Sequence, residues 1–149
     1  SCFTATFVAQ PSDIGDQLPV HMVSSSSAWT VVIFASNDAL CRALHQYVDY
    51  FFNDVGSAKI EQVSRISACE SRVRALLRQH NSRRRLVVLA NHTDCTSRLL
   101  DLLQGSQCIP IILSGLPPHS DADALAVEGW TNVVDKPVAL DRLCRTLEC

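Results

Sequence analysis

Three runs of this chain are almost wholly apolar: Trp-Thr-Val-Val-Ile-Phe-Ala at 29–35, Leu-Val-Val-Leu-Ala at 86–90 and Pro-Ile-Ile-Leu-Ser at 110–114. They are β-branched, short and set between polar segments. A strand with one wet face alternates, whereas a strand buried on both faces reads as a continuous apolar run, the habit of parallel sheets covered by helices. Between the runs the period changes to three and four. From Asp38 the apolar positions are Leu40, Ala43, Leu44, Tyr47 and Val48, which predicts a helix to about Phe51, with Ser36 and Asn37 available to cap it.

The same alternation continues to the end. A shorter strand is predicted at 58–63 and a helix at 67–79, with Val73, Leu76 and Leu77 inward and Arg72, Arg74 and Arg78 outward. Residues 80–85 read as a polar loop. After the 86–90 run, Thr93 or Asp94 is placed to cap a helix through Leu99, Leu100, Leu102 and Leu103, closed by Gly105. The 110–114 run leads through a Gly-Leu-Pro-Pro-His loop to Ser120, which caps a short helix at 121–128. Gly129 turns the chain into a last strand, and Leu140, Leu143 and Leu147 stripe a last helix. Strand then helix, five times from 29 to 149, predicts a doubly wound parallel sheet in three α/β/α layers. Right-handed crossovers leave few topologies, and the flavodoxin-like order 2-1-3-4-5 is the expected one.

Composition narrows the function. At 149 residues and 47% apolar content the chain can build one packed domain. A net charge of −2 argues against a nucleic-acid partner. No run approaches the roughly 18–20 apolar residues of a membrane span. Seven cysteines, at 2, 41, 69, 95, 108, 144 and 149, are odd in number and scattered. None forms a Cys-x-x-Cys pair, so zinc is not indicated and reduced, cytosolic thiols are expected. Five scattered histidines give no metal spacing, and five glycines form no phosphate loop. His92 with Cys95 carries no thiol chemistry, since nothing nearby offers an oxyanion hole. No cofactor and no metal are expected.

The stretch Gly129-Trp-Thr-Asn-Val-Val-Asp-Lys136-Pro137 carries the most specific information. A residue before proline is held extended, so Lys136 projects past the strand end, where sites form in open α/β sheets. This resembles the last strand of a response-regulator receiver domain. There a glycine stands seven residues before the lysine, as Gly129 stands before Lys136, and the following proline is usually cis. The resemblance covers about 120 residues. It implies a site made of an acidic pair after the first strand, which holds magnesium, and an aspartate ending the third, which takes the phosphoryl group. Ser/Thr ends the fourth strand and Lys the fifth.

Matched residue by residue, the acidic pair falls on Ala35 and Ser36, followed by Asn37. The acceptor falls on Ala90, or on Asn91 after a slip of one; neither can form an acyl phosphate. Ser114, Lys136 and Pro137 are retained, although the run before Ser114 is one residue short. The switch aromatic falls on Val133. Lys136 then needs another acceptor: Asn91, Asp38 or a backbone carbonyl. Asp94, four residues beyond Ala90, is expected about a helical turn from the pocket.

Residues 2–8 alternate, with Phe3, Ala5 and Phe7 on one face. The segment resembles the closing strand of a histidine-kinase ATP-binding domain, which implies a fragment at 1–8, a Pro/Ser-rich linker at 9–28 and a receiver-like domain at 29–149. The chain reads as a piece cut from a longer protein. Together the resemblances imply a non-phosphorylatable pseudo-receiver in the cytoplasmic portion of a membrane-anchored hybrid sensor kinase of a two-component phosphorelay. It would not be an enzyme itself. Its expected partners are the kinase core, the downstream receiver of the same chain or another kinase. Two alternatives stay open. Arg83, Arg84 and Arg85, near Arg72, Arg74 and Arg78 in sequence, could take an acidic partner or an anionic ligand such as a cyclic dinucleotide, or the acceptor could be displaced. Trp130 either packs on the last helix or serves as an exposed anchor.

Overall fold

The computed structural model describes residues 28–55, 58–79, 84–115 and 122–148. The strand expected at 2–8, the linker, Arg83 and the Ser120 cap lie outside the described residues. The elements are β1 (Ala28–Phe34), α1 (Asp38–Val55), β2 (Ala58–Val63), α2 (Ile66–Arg78), β3 (Arg84–Asn91), α3 (Ser97–Gln104), β4 (Ile109–Leu113), α4 (Ala122–Val127), β5 (Val133–Val134) and α5 (Leu140–Glu148). The strands form one parallel sheet in the order β2-β1-β3-β4-β5. This is the doubly wound, flavodoxin-like fold read from the sequence. None of the described helices is long and apolar enough to cross a membrane.

Strand side chains alternate between faces, and the continuous runs fill both. Trp29, Val31, Ile33 and Ala35 join Val87, Leu89, Ile111 and Leu113 under Leu44 and Val48 of α1 and Leu143 and Leu147 of α5. Val32 and Phe34 join Val88, Ala90 and Ile112 on the other side, under Cys69 and Val73 of α2, Leu99 and Leu103 of α3 and Leu125 of α4. In register, Phe34 lies beside Ala90 and Ala90 beside Ile112, so the strand ends line up at one edge.

Element ends differ from expectation for local reasons. Helix α1 runs on past Phe51, because Phe51 and Phe52 extend the inward stripe of Leu44 and Val48 and bury together. Their rings meet edge-on at 5.0 Å, and Phe52 lies 5.4 Å from Trp29. Strand β3 begins at Arg84, inside the expected loop. Arg84 and Arg85 pair by backbone with Ala28 and Trp29 while their side chains stay exposed, and the Arg85 guanidinium lies 5.2 Å over the Trp29 ring.

Trp130 is neither an exposed anchor nor packed on α5. It is 4% exposed and belongs to the α2–α4 side of the core. The cause is the end of α4. Gly129, at φ 93°, takes a left-handed conformation that suits glycine. Its N–H reaches the Ala126 carbonyl at 3.1 Å, and the Trp130 N–H reaches that of Leu125 at 3.0 Å. This is a Schellman closure, in which the residue after the glycine folds back on the helix's last turn. It seats Trp130 in the cluster that holds Leu125.

Candidate functional site

The ends of β1, β3 and β5 bring three of the sequence-predicted residues together: Ser36, Asn91 and Lys136. A fourth joins them against expectation. Asp94 follows β3 through a 3-10 turn at His92–Asp94. Such a turn has three residues per revolution, so side chains three apart eclipse. Asp94 therefore stacks over Asn91 and turns back into the pocket rather than starting helix α3. Thr96 caps α3 instead, accepting from the Leu99 N–H at 3.3 Å.

Both oxygens of the Asp94 carboxylate accept hydrogen bonds. Ser36 donates its N–H to Oδ2 at 2.8 Å and its hydroxyl to Oδ1 at 2.6 Å. The Asn91 amide donates to Oδ2 at 2.7 Å and to Thr93 Oγ1 at 3.1 Å. The other end of that amide, Oδ1, accepts from Lys136 Nζ at 2.8 Å. Asn91 is 6% exposed and lies between a cation and an anion with its dipole aligned to both. Burial pushes the Asp94 carboxyl upward. The bonds from Ser36 and Asn91 and the Lys136 charge outweigh it and hold the acid below its ordinary value.

The other matched positions do something else. Ala35 and Ala90 are fully buried, on opposite faces of the sheet. Asn37, not Ser36, caps α1, its Oδ1 accepting from the Leu40 N–H at 3.0 Å. Ser114 is buried and donates its hydroxyl to Asp135 Oδ1 at 2.8 Å, while Arg142 holds Asp135 Oδ2 at 2.9 Å. The Lys136–Pro137 peptide is cis. The sequence places Asp94 a helical turn outside the pocket, which the structure corrects, and gives no role to Asp135. The signal for Asp94 was its spacing of three from Asn91 directly after a buried strand; Asp135 simply precedes the lysine.

The magnesium that a receiver site implies does not fit these residues. A hard cation needs carboxylate oxygens. Ala35, Ser36 and Ala90 supply none, and both Asp94 oxygens already accept hydrogen bonds. Among the described residues no group of three or more His, Cys, Asp and Glu is placed to hold a metal.

The basic edge is more divided than its sequence suggests. Arg72 is committed to Glu61 through two bonds, at 2.5 and 2.6 Å. Arg84 and Arg85 begin β3, at the opposite end of the sheet from the pocket. The cavity they line with Thr30, Leu76, Gln79 and Leu86 measures about 20 Å³, space for a water rather than a nucleotide. The five described cysteines at 41, 69, 95, 108 and 144 are free thiols. Cys95 donates to the Asn91 carbonyl at 3.2 Å, and burial pushes it up to about 12, far from a thiolate nucleophile.

No family model matches the chain, and no curated protein matches it. Solved structures do. The signal receiver domain of a DNA-binding response regulator from Colwellia psychrerythraea 34H superimposes with a TM-score of 0.63 at 13% identity, over 80% of this chain and 95% of that one. A response regulator receiver domain from Clostridium thermocellum gives 0.54 at 13%, over 80% and 90%. A protein described as a pilus assembly protein from Burkholderia thailandensis E264 gives 0.52 at 13%, over 80% and 94%. At such identity the likeness is one of fold.

Proposed function

We propose that this chain, which has the fold of receiver domains, is a regulatory domain that takes no phosphoryl group. It works within a hybrid sensor histidine kinase by docking on the kinase core or a neighbouring receiver. One observation carries the reading: the amine that would answer a phosphorylated aspartate is bonded to the amide of Asn91, which cannot form an acyl phosphate, while Ala90, the other position matched to the acceptor, is packed in the core. A phosphoryl group in transfer needs its charge offset by metal and lysine. Here the acidic metal ligands are replaced and the lysine has a neutral partner. Regulation then arises from unequal affinity for two arrangements of the kinase, the only means by which a binding domain shifts an equilibrium.

A second reading has an observation of its own. Asp94 lies in the pocket, so a displaced acceptor is the natural competitor. Against it stand the bonds already made by both carboxylate oxygens. Acetyl phosphate with magnesium, read by intact mass, and beryllofluoride, read by amide NMR, separate the two. An unchanged mass and unmoved resonances at Ser36, Asn91, Ser114 and Lys136 are expected. A phosphorylated species that vanishes in Asp94→Asn would establish the displaced acceptor. Binding to the kinase core, followed by calorimetry, tests the docking half, and the absence of any binding would defeat it.

A further inference from the structure

We infer that Ser36, Asn91 and Lys136 form a carboxylate-binding cradle whose resident ligand is the chain's own Asp94, and that the cradle would take a small carboxylate from solution once that side chain is removed. The inference rests on the reading of the pocket as chemically idle and deepens it. In a receiver, by the resemblance, an anion arrives at these strand ends and leaves again; here one is supplied by the fold.

The donors converge as a carboxylate requires. The N–H and hydroxyl of Ser36 approach the two oxygens separately, at 2.8 and 2.6 Å, which makes a fork from a single residue. The Asn91 amide shares Oδ2 at 2.7 Å, and the Lys136 charge stands behind it, 2.8 Å from Oδ1 of that amide. Hydrogen bonds to an ionised acceptor are roughly twice as strong as neutral ones. The planar pair of acceptors favours a carboxylate over a tetrahedral anion.

The donors are also held independently of Asp94. Ser36 lies between the end of β1 and the Asn37 cap of α1. Asn91 ends β3 in register with Leu113 of β4. Lys136 follows β5, whose Val134 carbonyl accepts from the Ser114 N–H at 2.9 Å. Asp94 alone stands on a one-turn excursion beyond the sheet. Scaffold and ligand are thus separable. Tethering gives the internal carboxylate a high effective concentration, so free anions do not compete in the natural chain. Without it the donors stay aimed at a vacated space the size of an acetate.

The test is Asp94→Gly in the full chain, which vacates the whole acetate-sized side chain where alanine would keep its methyl group, melted in sodium acetate, formate, phosphate or chloride at matched ionic strength. The variant should melt below the natural protein. Acetate and formate should restore at least half of the loss and saturate, as a ligand of the native state does, while the natural protein shows no such response. Amide resonances of Ser36 and Asn91 should move on acetate titration of the variant. Recovery with phosphate alone, equal recovery in chloride, or none would overturn the proposal. A second measurement covers a variant that does not fold. In the natural protein the Ser36 amide proton should shift as Asp94 is protonated, with a midpoint below an ordinary aspartate. Asp38, Cys41 and Lys136 are the other ionisable groups whose charge or thiol is coupled to this neighbourhood. A Ser36 proton indifferent to acid would also overturn it. Phosphorylation of the natural protein would sink the proposed function without touching the acetate result, so the two failures are distinguishable.

Discussion

Glu61 and Asp94 both have carboxyls held below their ordinary pKa, and they are held differently. Glu61, on β2, meets the Arg72 guanidinium directly in a two-bond fork, with Lys59 at 2.9 Å as well, and falls from 4.5 to about 2. Asp94 meets no cation directly among the described residues. Burial pushes it up, and the Ser36 hydroxyl, the Asn91 amide and the Ser36 N–H outweigh that, with the Lys136 charge behind the amide adding least. The first arrangement needs only two side chains on neighbouring elements. The second joins the ends of β1, β3 and β5 through two neutral residues, Ser36 and Asn91, of which Asn91 alone also reaches Lys136. A direct pair contributes to stability locally, whereas a bridged one makes three loops conditional on each other.

The bridge is therefore the place to break first. Asn91→Leu leaves Lys136 without its acceptor and takes one donor from Asp94, in a position 6% exposed. An unsatisfied buried polar group costs about 1–3 kcal/mol, and Lys136 and Asp94 are each only half-buried, so a total loss of about 1–3 kcal/mol is expected in urea unfolding. A loss under about 1 kcal/mol would mean that the three loops are not coupled through this amide. Arg72→Met should cost less, about 1 kcal/mol, because Arg72 is a third exposed and its fork lies near solvent. That loss should shrink in high salt, whereas the Asn91 loss should not.

Acid sharpens the same contrast. Both folded acids lie below their unfolded values, 4.5 for Glu61 and 3.8 for Asp94. Their contributions are present above those values and disappear as pH falls through the folded ones. Stability should accordingly fall between about pH 5 and pH 2. In Arg72→Met the part of that slope due to Glu61 should flatten, and in Asn91→Leu the part due to Asp94. Identical acid limbs in all three proteins would remove the distinction between direct and bridged carboxylates.

The sheet was legible in the sequence because burial on both faces writes itself as unbroken apolar runs, and 58–63 was placed to the residue. The ends were less legible, because they depend on what lies across the sheet. Arg84 and Arg85 look like loop until Ala28 and Trp29 are seen to pair with them. Trp130 could be seated only by seeing Gly129 close α4, since a Trp beside a glycine serves equally in a turn or at an interface. In the site, Lys136, Asn91 and Ser36 were reachable from the strand-end pattern. Asp94 was not, because a helical turn of 3.6 residues was assumed where a 3-10 turn forms, and the difference rotates a carboxylate from solvent into the pocket.

The smallest effect is expected on the exposed face of α5. Arg145 and Asp141 on α5 sit one turn apart at 2.6 Å, as close as the Ser36–Asp94 bond. Their side chains are 75% and 67% exposed, so water competes for both charges and salt screens them. A double-mutant cycle at this pair should give about 0.3–0.5 kcal/mol, far below Asn91→Leu although the distance is equally short. A coupling above about 1 kcal/mol there would mean that proximity alone sets the strength of these contacts. The greater weight given to the Asn91 bridge, which rests on burial and on the number of loops it joins, would then lose its ground.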